Sequence, residues 1–217
     1  MSEIVVGEPT FVIYDTETTG LYKSRSDYRD PSQPWALQLA FVVTDPSFNV
    51  IQEFETLVTP PEGATFSAGA EKVHGISEER VRAEGIPYQE ALDIFASACH
   101  SIADGGRCAY NIDFDDNITL SMLMRAYPDK TMEECKIMLR GDSQRLCVME
   151  TAVNFFRRRD HNGALRRMKL IEAYRAVTGF KMPDAHDALA DVRGAMTVLK
   201  GILEMTAPAQ DLQSVGS

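Results

Sequence analysis

Phe11-Val12-Ile13-Tyr14-Asp15-Thr16-Glu17-Thr18-Thr19-Gly20 is the stretch around which the rest of the chain is organised. Phe11 to Tyr14 form a β-branched and aromatic run, the composition of a buried strand. Two acids follow, Asp15 and Glu17, and then Thr18-Thr19-Gly20. Successive strand side chains alternate faces, so Asp15 and Glu17 point the same way from the strand's end. Acids are depleted in strands, and like charges side by side repel. Taken alone, the pair reads equally well as a solvated strand end turning into a loop. The remainder of the chain decides.

Outward from that strand (Thr10 to Glu17), residues 21–35 are too polar and Pro-rich for a core element. Lys23, Arg25 and Arg29 stand there among Tyr22, Tyr28 and Trp35, a mixture that suits phosphates and stacked bases. A solvated loop with Trp35 folded onto the core fits as well. Two strands follow, Ala36 to Thr44 and Asn49 to Thr59, joined by a type I turn with Pro46 at its second position. Short turns between three consecutive strands predict an antiparallel meander, closed by Pro60-Pro61. Helical signals then take over. Ser77 caps acids at Glu78 and Glu79, and Pro87 opens a helix with Ala91, Leu92, Phe95, Cys99 and Ile102 on one face. Gly105-Gly106 stops it. A short strand is expected over Arg107 to Tyr110, with helices at 115–127, 148–158, 165–178 and 187–206. Residues 128–145 are polar, broken by Gly141, and read as an excursion from the domain.

The expectation is one α/β domain over residues 10–206, with a lead-in at 1–9 and a disordered tail at 207–217. No folded domain is expected beyond it. No apolar run approaches the ~20 residues of a bilayer span, and the first residues carry no secretory pattern. Cys99, Cys108, Cys135 and Cys147 lack metal-ligand spacing and read as reduced thiols of a cytoplasmic protein. The net charge of −10 argues against a grip on nucleic acid by the whole surface. It is compatible with an acidic site neutralised by cations.

Three acidic clusters sit at element ends: Asp15-x-Glu17, the run Tyr110 to Asp116, and His186 with Asp191. Five residues turn ~140° around a helix, so His186 and Asp191 share a site only if the histidine precedes the helix, after Pro183-Asp184. Asp184 and Asp187 read as capping and surface acids.

These residues resemble the DEDDh, or DnaQ-like, branch of the ribonuclease H-like 3′–5′ exonucleases. The D-x-E-T-T-G motif is matched by Asp15 to Gly20, the N-x-x-F-D motif by Asn111 to Asp115, and the H-x-A-x-x-D motif by His186, Ala188 and Asp191. His74-Gly75-Ile76 is similar to the family's H-G-I connection. Gln38, where many members carry an acid, with Tyr110-Asn111 and Phe114-Asp115-Asp116, resembles the nuclease domain of bacterial exonuclease I. The resemblance implies a mixed sheet flanked by helices and picks Asp115 from three candidate acids. It implies two divalent cations, Mg²⁺ or Mn²⁺, held by Asp15, Glu17, Asp115 and Asp191. It makes His186 the general base, with Thr18, Gly20, His74, Asn111 and Phe114 placed to touch substrate.

The chemistry suits those residue types. Phosphodiester hydrolysis needs an activated water and stabilised charge, which two cations ~3.5–4 Å apart supply. Mg²⁺ prefers oxygen donors. Two bare carboxylates ~4 Å apart repel by about 4 kcal/mol at an effective dielectric of about 20, so four converging acids are costly as mere scaffold. An imidazole titrating near ~6.5 suits a base at neutral pH. The expected substrate is the 3′ end of a single strand, DNA first and RNA as the alternative, with nucleoside 5′-monophosphates released. A polymerase or homodimer partner is compatible with the sequence, and a non-catalytic nucleic-acid or polymerase-binding module is the rival of another class. Arg157-Arg158-Arg159 and Arg166-Arg167 read either as a solvated helix end or as a nucleic-acid contact.

Overall fold

The computed structural model describes residues 8–102, 105–141 and 143–206. The expected tail at 207–217 and most of the lead-in lie outside them. Among the described residues the order is β1 (Phe11–Thr18), β2 (Ala36–Thr44), β3 (Val50–Thr59), α1 (Ala68–His74), α2 (Glu78–Glu84), β4 (Ile86–Pro87), α3 (Tyr88–Ser101) and β5 (Gly106–Ala109). Then come α4 (Ile112–Ala126), α5 (Met132–Met138), β6 (Gln144–Cys147), α6 (Val148–Phe156), α7 (Leu170–Thr178) and α8 (Ala188–Thr206).

Six strands form one sheet in the order β4-β3-β2-β1-β5-β6. β1, β2 and β3 are the expected antiparallel meander. β5 adds parallel to β1, and β6 parallel to β5. The Asp45–Phe48 turn closes as expected, with the Phe48 N–H donating to the Asp45 carbonyl at 3.0 Å. β2 is buried along its whole length because helices cover both of its faces. Val12, Tyr14 and Phe41 pack with α3 and α4 on one side. Ile13, Ala40 and Val42 pack with α6, α7 and α8 on the other. β1 therefore runs through the centre, and its carboxyl end is where both helical layers can deliver side chains. Gly105 lets β5 dock against the amino end of β1: a Cβ on it would lie 1.4 Å from the Thr10 carbonyl oxygen.

Several expectations need correction. Residues 128–145 are not an excursion. They hold α5, capped reciprocally by Thr131 and Glu134, with Cys135 and Leu139 buried in the core, and then the edge strand β6. α1 is an element that the sequence pattern does not signal, since none of its residues is buried. α4 starts three residues earlier than expected, at Ile112, which puts Asp115 in its first turn. α7 starts at Leu170 rather than Leu165, because 159–165 pair in an antiparallel bridge. Trp35 folds back onto the core, with the Arg125 guanidinium 3.6 Å over its ring. The described cysteines are free thiols, as expected. No helix among the described residues is long and apolar enough to cross a membrane.

Candidate active site

Strand alternation puts Asp15 and Glu17 on the face that α8 covers, while Tyr14 and Thr16 turn inward. The β1–β2 register shifts between Glu17 and Thr18, so the ladder breaks where the acids stand. α4 brings Asp115 from the opposite layer. Its Oδ1 accepts the Thr16 N–H at 3.1 Å and the Thr16 hydroxyl at 2.7 Å, both buried. Of the three acids in that segment, the structure brings only this one to the strand end. Asp113 pairs with Arg145 at the surface, and Asp116 turns the other way to Arg107, Arg145 and the Tyr14 hydroxyl.

α8 supplies the remaining groups. Asp187 caps it, accepting the Ala190 N–H at 3.1 Å. Gln38 fixes where that cap sits: its carbonyl accepts the Ala188 N–H at 3.2 Å, and its amide donates to Asp187 at 3.3 Å and Glu55 at 2.7 Å. One turn on, Asp191 faces β1. His186 lies before the helix, as the spacing requires, with φ 74° and its N–H on the Asp191 carboxylate at 3.3 Å. Ligand atoms of Glu17, His186 and Asp191 lie within 4.8 Å of one another. Asp15, Glu17, Asp115, Asp191, Asn111 and Phe114 wall one cavity of about 180 Å³, joined by Tyr110 and Leu170.

Burial and mutual repulsion govern these acids. Desolvation first, then Asp115, Asp191 and Glu17, hold the Asp15 carboxyl well above the usual carboxylate range. Burial, followed by Asp191 and Asp115, pushes Glu17 up to about 8. Burial pushes Asp115 up to about 7 against the two Thr16 hydrogen bonds, which favour its charged form. Asp191 is raised as well, chiefly by burial. A hard divalent cation is the charge that such a donor set fits, since it favours the ionised carboxylates that burial and mutual repulsion disfavour. His186 sits within reach of the same ligand set, so its position permits ligation as well as base chemistry.

Beside this cavity, Thr18, Gly20, Leu21, Val73, His74 and Phe114 line a second of about 420 Å³, sharing Thr16, Glu17 and Phe114 with the first. Leu21 is 82% exposed and Val73 56% exposed, both apolar and unpaid for by packing. The His74 ring is pinned at both nitrogens. Nδ1 accepts the Ile76 N–H at 3.0 Å, so Nε2 carries the hydrogen and donates to the Thr18 carbonyl at 3.2 Å. Burial lowers its pKa, in keeping with a neutral, pinned ring. The Thr18 hydroxyl donates to the Gly20 carbonyl at 2.7 Å, shaping the turn. Thr16 carries one signal in the sequence, its position between two acids. Leu21 and Val73 carry none.

A family model described as Exonuclease (RNase T) matches residues 12–199, a span that includes Asp15, Glu17, Asp115, His186 and Asp191. The chain belongs to the exonuclease family. The DEDDh resemblance and the ribonuclease H-like fold read from its motifs are thereby borne out. Among solved structures, this exonuclease chain is similar to E. coli exonuclease I in complex with a dT13 oligonucleotide (24% identity, TM-score 0.65, covering 89% of this chain and 40% of that one). It is similar to the zinc-bound form of the E. coli exonuclease I–single-stranded DNA complex (23% identity, TM-score 0.66, 92% and 41%). The exonuclease I of Methylocaldum szegediense matches likewise (24% identity, TM-score 0.69, 90% and 40%). These likenesses are of fold, and the chain spans about two-fifths of those structures' length. A search of the curated proteins finds no match.

Proposed function

We propose that residues 10–206 form a divalent-metal-dependent 3′–5′ exonuclease domain that removes nucleoside 5′-monophosphates from the 3′ end of single-stranded nucleic acid, DNA before RNA. The observation that carries this reading is the meeting of Asp15, Glu17, Asp115 and Asp191, from both sides of the sheet, at one strand end. Two cations held by these carboxylates would supply the positive charge that activates water and offsets charge on the phosphate oxygens. The protein's own part is positioning. Thr16 donates two hydrogen bonds that favour the charged form of Asp115 against its burial, and Gln38 and Asp187 set the start of α8, hence the reach of Asp191. His186, exposed at the rim, takes the proton from the attacking water. The apolar walls of the 420 Å³ cleft suit the terminal base, with Leu21, Val73 and Phe114 as stacking surfaces. Support for single-stranded DNA comes from the oligonucleotide complexes of the similar E. coli enzyme.

The test is release of mononucleotides from 5′-end-labelled DNA and RNA oligonucleotides with Mg²⁺, with chelator, and with the Asp15→Ala variant. A 3′-end ladder on DNA that chelator and Asp15→Ala both abolish, with folding retained by circular dichroism, is the expected result. Digestion that persists in Asp15→Ala refutes the assignment. A faster ladder on RNA reverses the sugar preference, which a site reads at the 2′-hydroxyl.

A further inference from the structure

Residues 157–169 read RRRDHNGALRRMK, six basic residues against one acid in a chain of net charge −10. A helix C-terminus favours a cation or two in its last turn, and α6 ends just before them, at Phe156. The structure does more with the rest. Arg157 turns into the left-handed region at φ 49°, and its N–H closes α6 on the Val153 carbonyl. The chain then folds on itself. Asp160 N–H donates to the Ala164 carbonyl and Arg166 N–H to the Arg158 carbonyl, each at 2.9 Å. The one acid is spent inside the turn, where Asp160 accepts the N–H groups of Asn162 at 2.8 Å and Ala164 at 3.0 Å. Arg166 pairs with Glu172. Arg157, Arg158, Arg159, Arg167 and Lys169 remain exposed, with no ion pair among the described residues. Like charges held together on an ordered hairpin repel, and a polyanion relieves that repulsion.

The hairpin is fastened to the catalytic cavity. Met168 is buried, and its carbonyl accepts the Tyr110 hydroxyl at 2.7 Å. Tyr110 and the next-but-one residue, Leu170, are walls of the 180 Å³ cavity itself. From Arg167 to Leu170 is three residues, at most ~11 Å of chain. We infer that the 157–169 hairpin is a track for the phosphodiester backbone: it holds phosphates on the 5′ side of the reacting nucleotide and keeps a long strand on the protein between cleavages. The inference rests on the exonuclease reading and deepens it.

The test uses the full chain and the variant Arg157→Asn/Arg158→Ser/Arg159→Ser, in which Asn tolerates the left-handed backbone at 157. Binding of a long single strand is measured without cleavage, in chelator, across a salt series. Each phosphate neutralised on a single strand contributes ~0.7 to the slope of log affinity against log salt, so the triple variant should lose about 2 from that slope. KM for the long strand should rise tenfold or more with kcat little changed, while hydrolysis of a dinucleoside monophosphate, which has no phosphate on the 5′ side of the cleaved bond for the hairpin to hold, stays within twofold. An unchanged salt slope, or equal losses on long strand and dinucleoside monophosphate with an unchanged melting temperature, overturns the track. If the wild type cleaves neither substrate, the exonuclease reading fails instead, and the salt slope still decides whether the hairpin binds the strand.

Discussion

Replacing Glu17 by Gln should make the protein more stable without cations and less responsive to them. The Glu17 carboxyl stands at about 8 in the fold against an ordinary 4.5. With the folded value raised, its contribution to stability is complete below 4.5 and is lost as pH climbs toward about 8. Each pH unit inside that window costs about 1.36 kcal/mol, so the charge costs about 3 kcal/mol at pH 7. Glu17 borders solvent, where ions screen it, so roughly half of that, about 1.5–2 kcal/mol, is expected. For a domain of this size such a change moves the melting temperature by about 4–6 °C. Thermal melts in chelator should therefore place Glu17→Gln about 4–6 °C above wild type at pH 7, and only about 1 °C above it near pH 5. Saturating Mg²⁺ should reverse the order, since wild type gains about 2.7 kcal/mol at a hundredfold excess over Kd and the variant has lost a ligand. A variant no more stable than wild type in chelator at pH 7, or equally stabilised at pH 5, refutes the account of these acids as a destabilised cluster awaiting a cation.

Three further outcomes follow from the same geometry. Thr16→Val removes the 2.7 Å hydroxyl bond that favours ionised Asp115; it should cost about 1.5–3 kcal/mol and move the acid limb of the pH–rate profile upward, while Thr16→Ser restores both. Gln38→Leu leaves the Ala188 N–H without its acceptor and Glu55 and Asp187 without their shared donor. It should cost about 1–3 kcal/mol in denaturant melts and lower kcat, because the start of α8 is no longer fixed. His186→Asn keeps a side chain that tolerates φ 74°; kcat should fall by about 10²–10⁴ at nearly constant KM, with an unchanged melting temperature.

Much of the fold was legible because the meander announces itself: β2 is apolar throughout except for Gln38 and Thr44, and the turn at Asp45–Phe48 carries its own chemistry. α5 and β6 were hidden for a physical reason. α5 buries one residue, Cys135, and β6 is an edge strand with Gln144 and Arg145 exposed, so neither shows a periodic apolar face. The paired acids of β1 were legible through strand alternation, and the His186–Asp191 spacing correctly required the histidine to precede its helix. Position alone did not separate Asp115 from Asp113 and Asp116. Their partners, Arg145 and Arg107, come from strands that only the folded sheet brings near. The role of Gln38 was hidden likewise, since its three partners lie in β3 and at the start of α8.

The cluster draws Asp15 from the first strand and Asp191 from the last helix, so an ion seated there would tie the domain's two ends together as a reversible cross-link. Closing so long a loop restricts the unfolded chain strongly. Cation occupancy would then double as a fold sensor. A molecule whose final helix has peeled away could neither retain the ions nor cut, and a partly synthesised or damaged copy would be harmless to the nucleic acid around it.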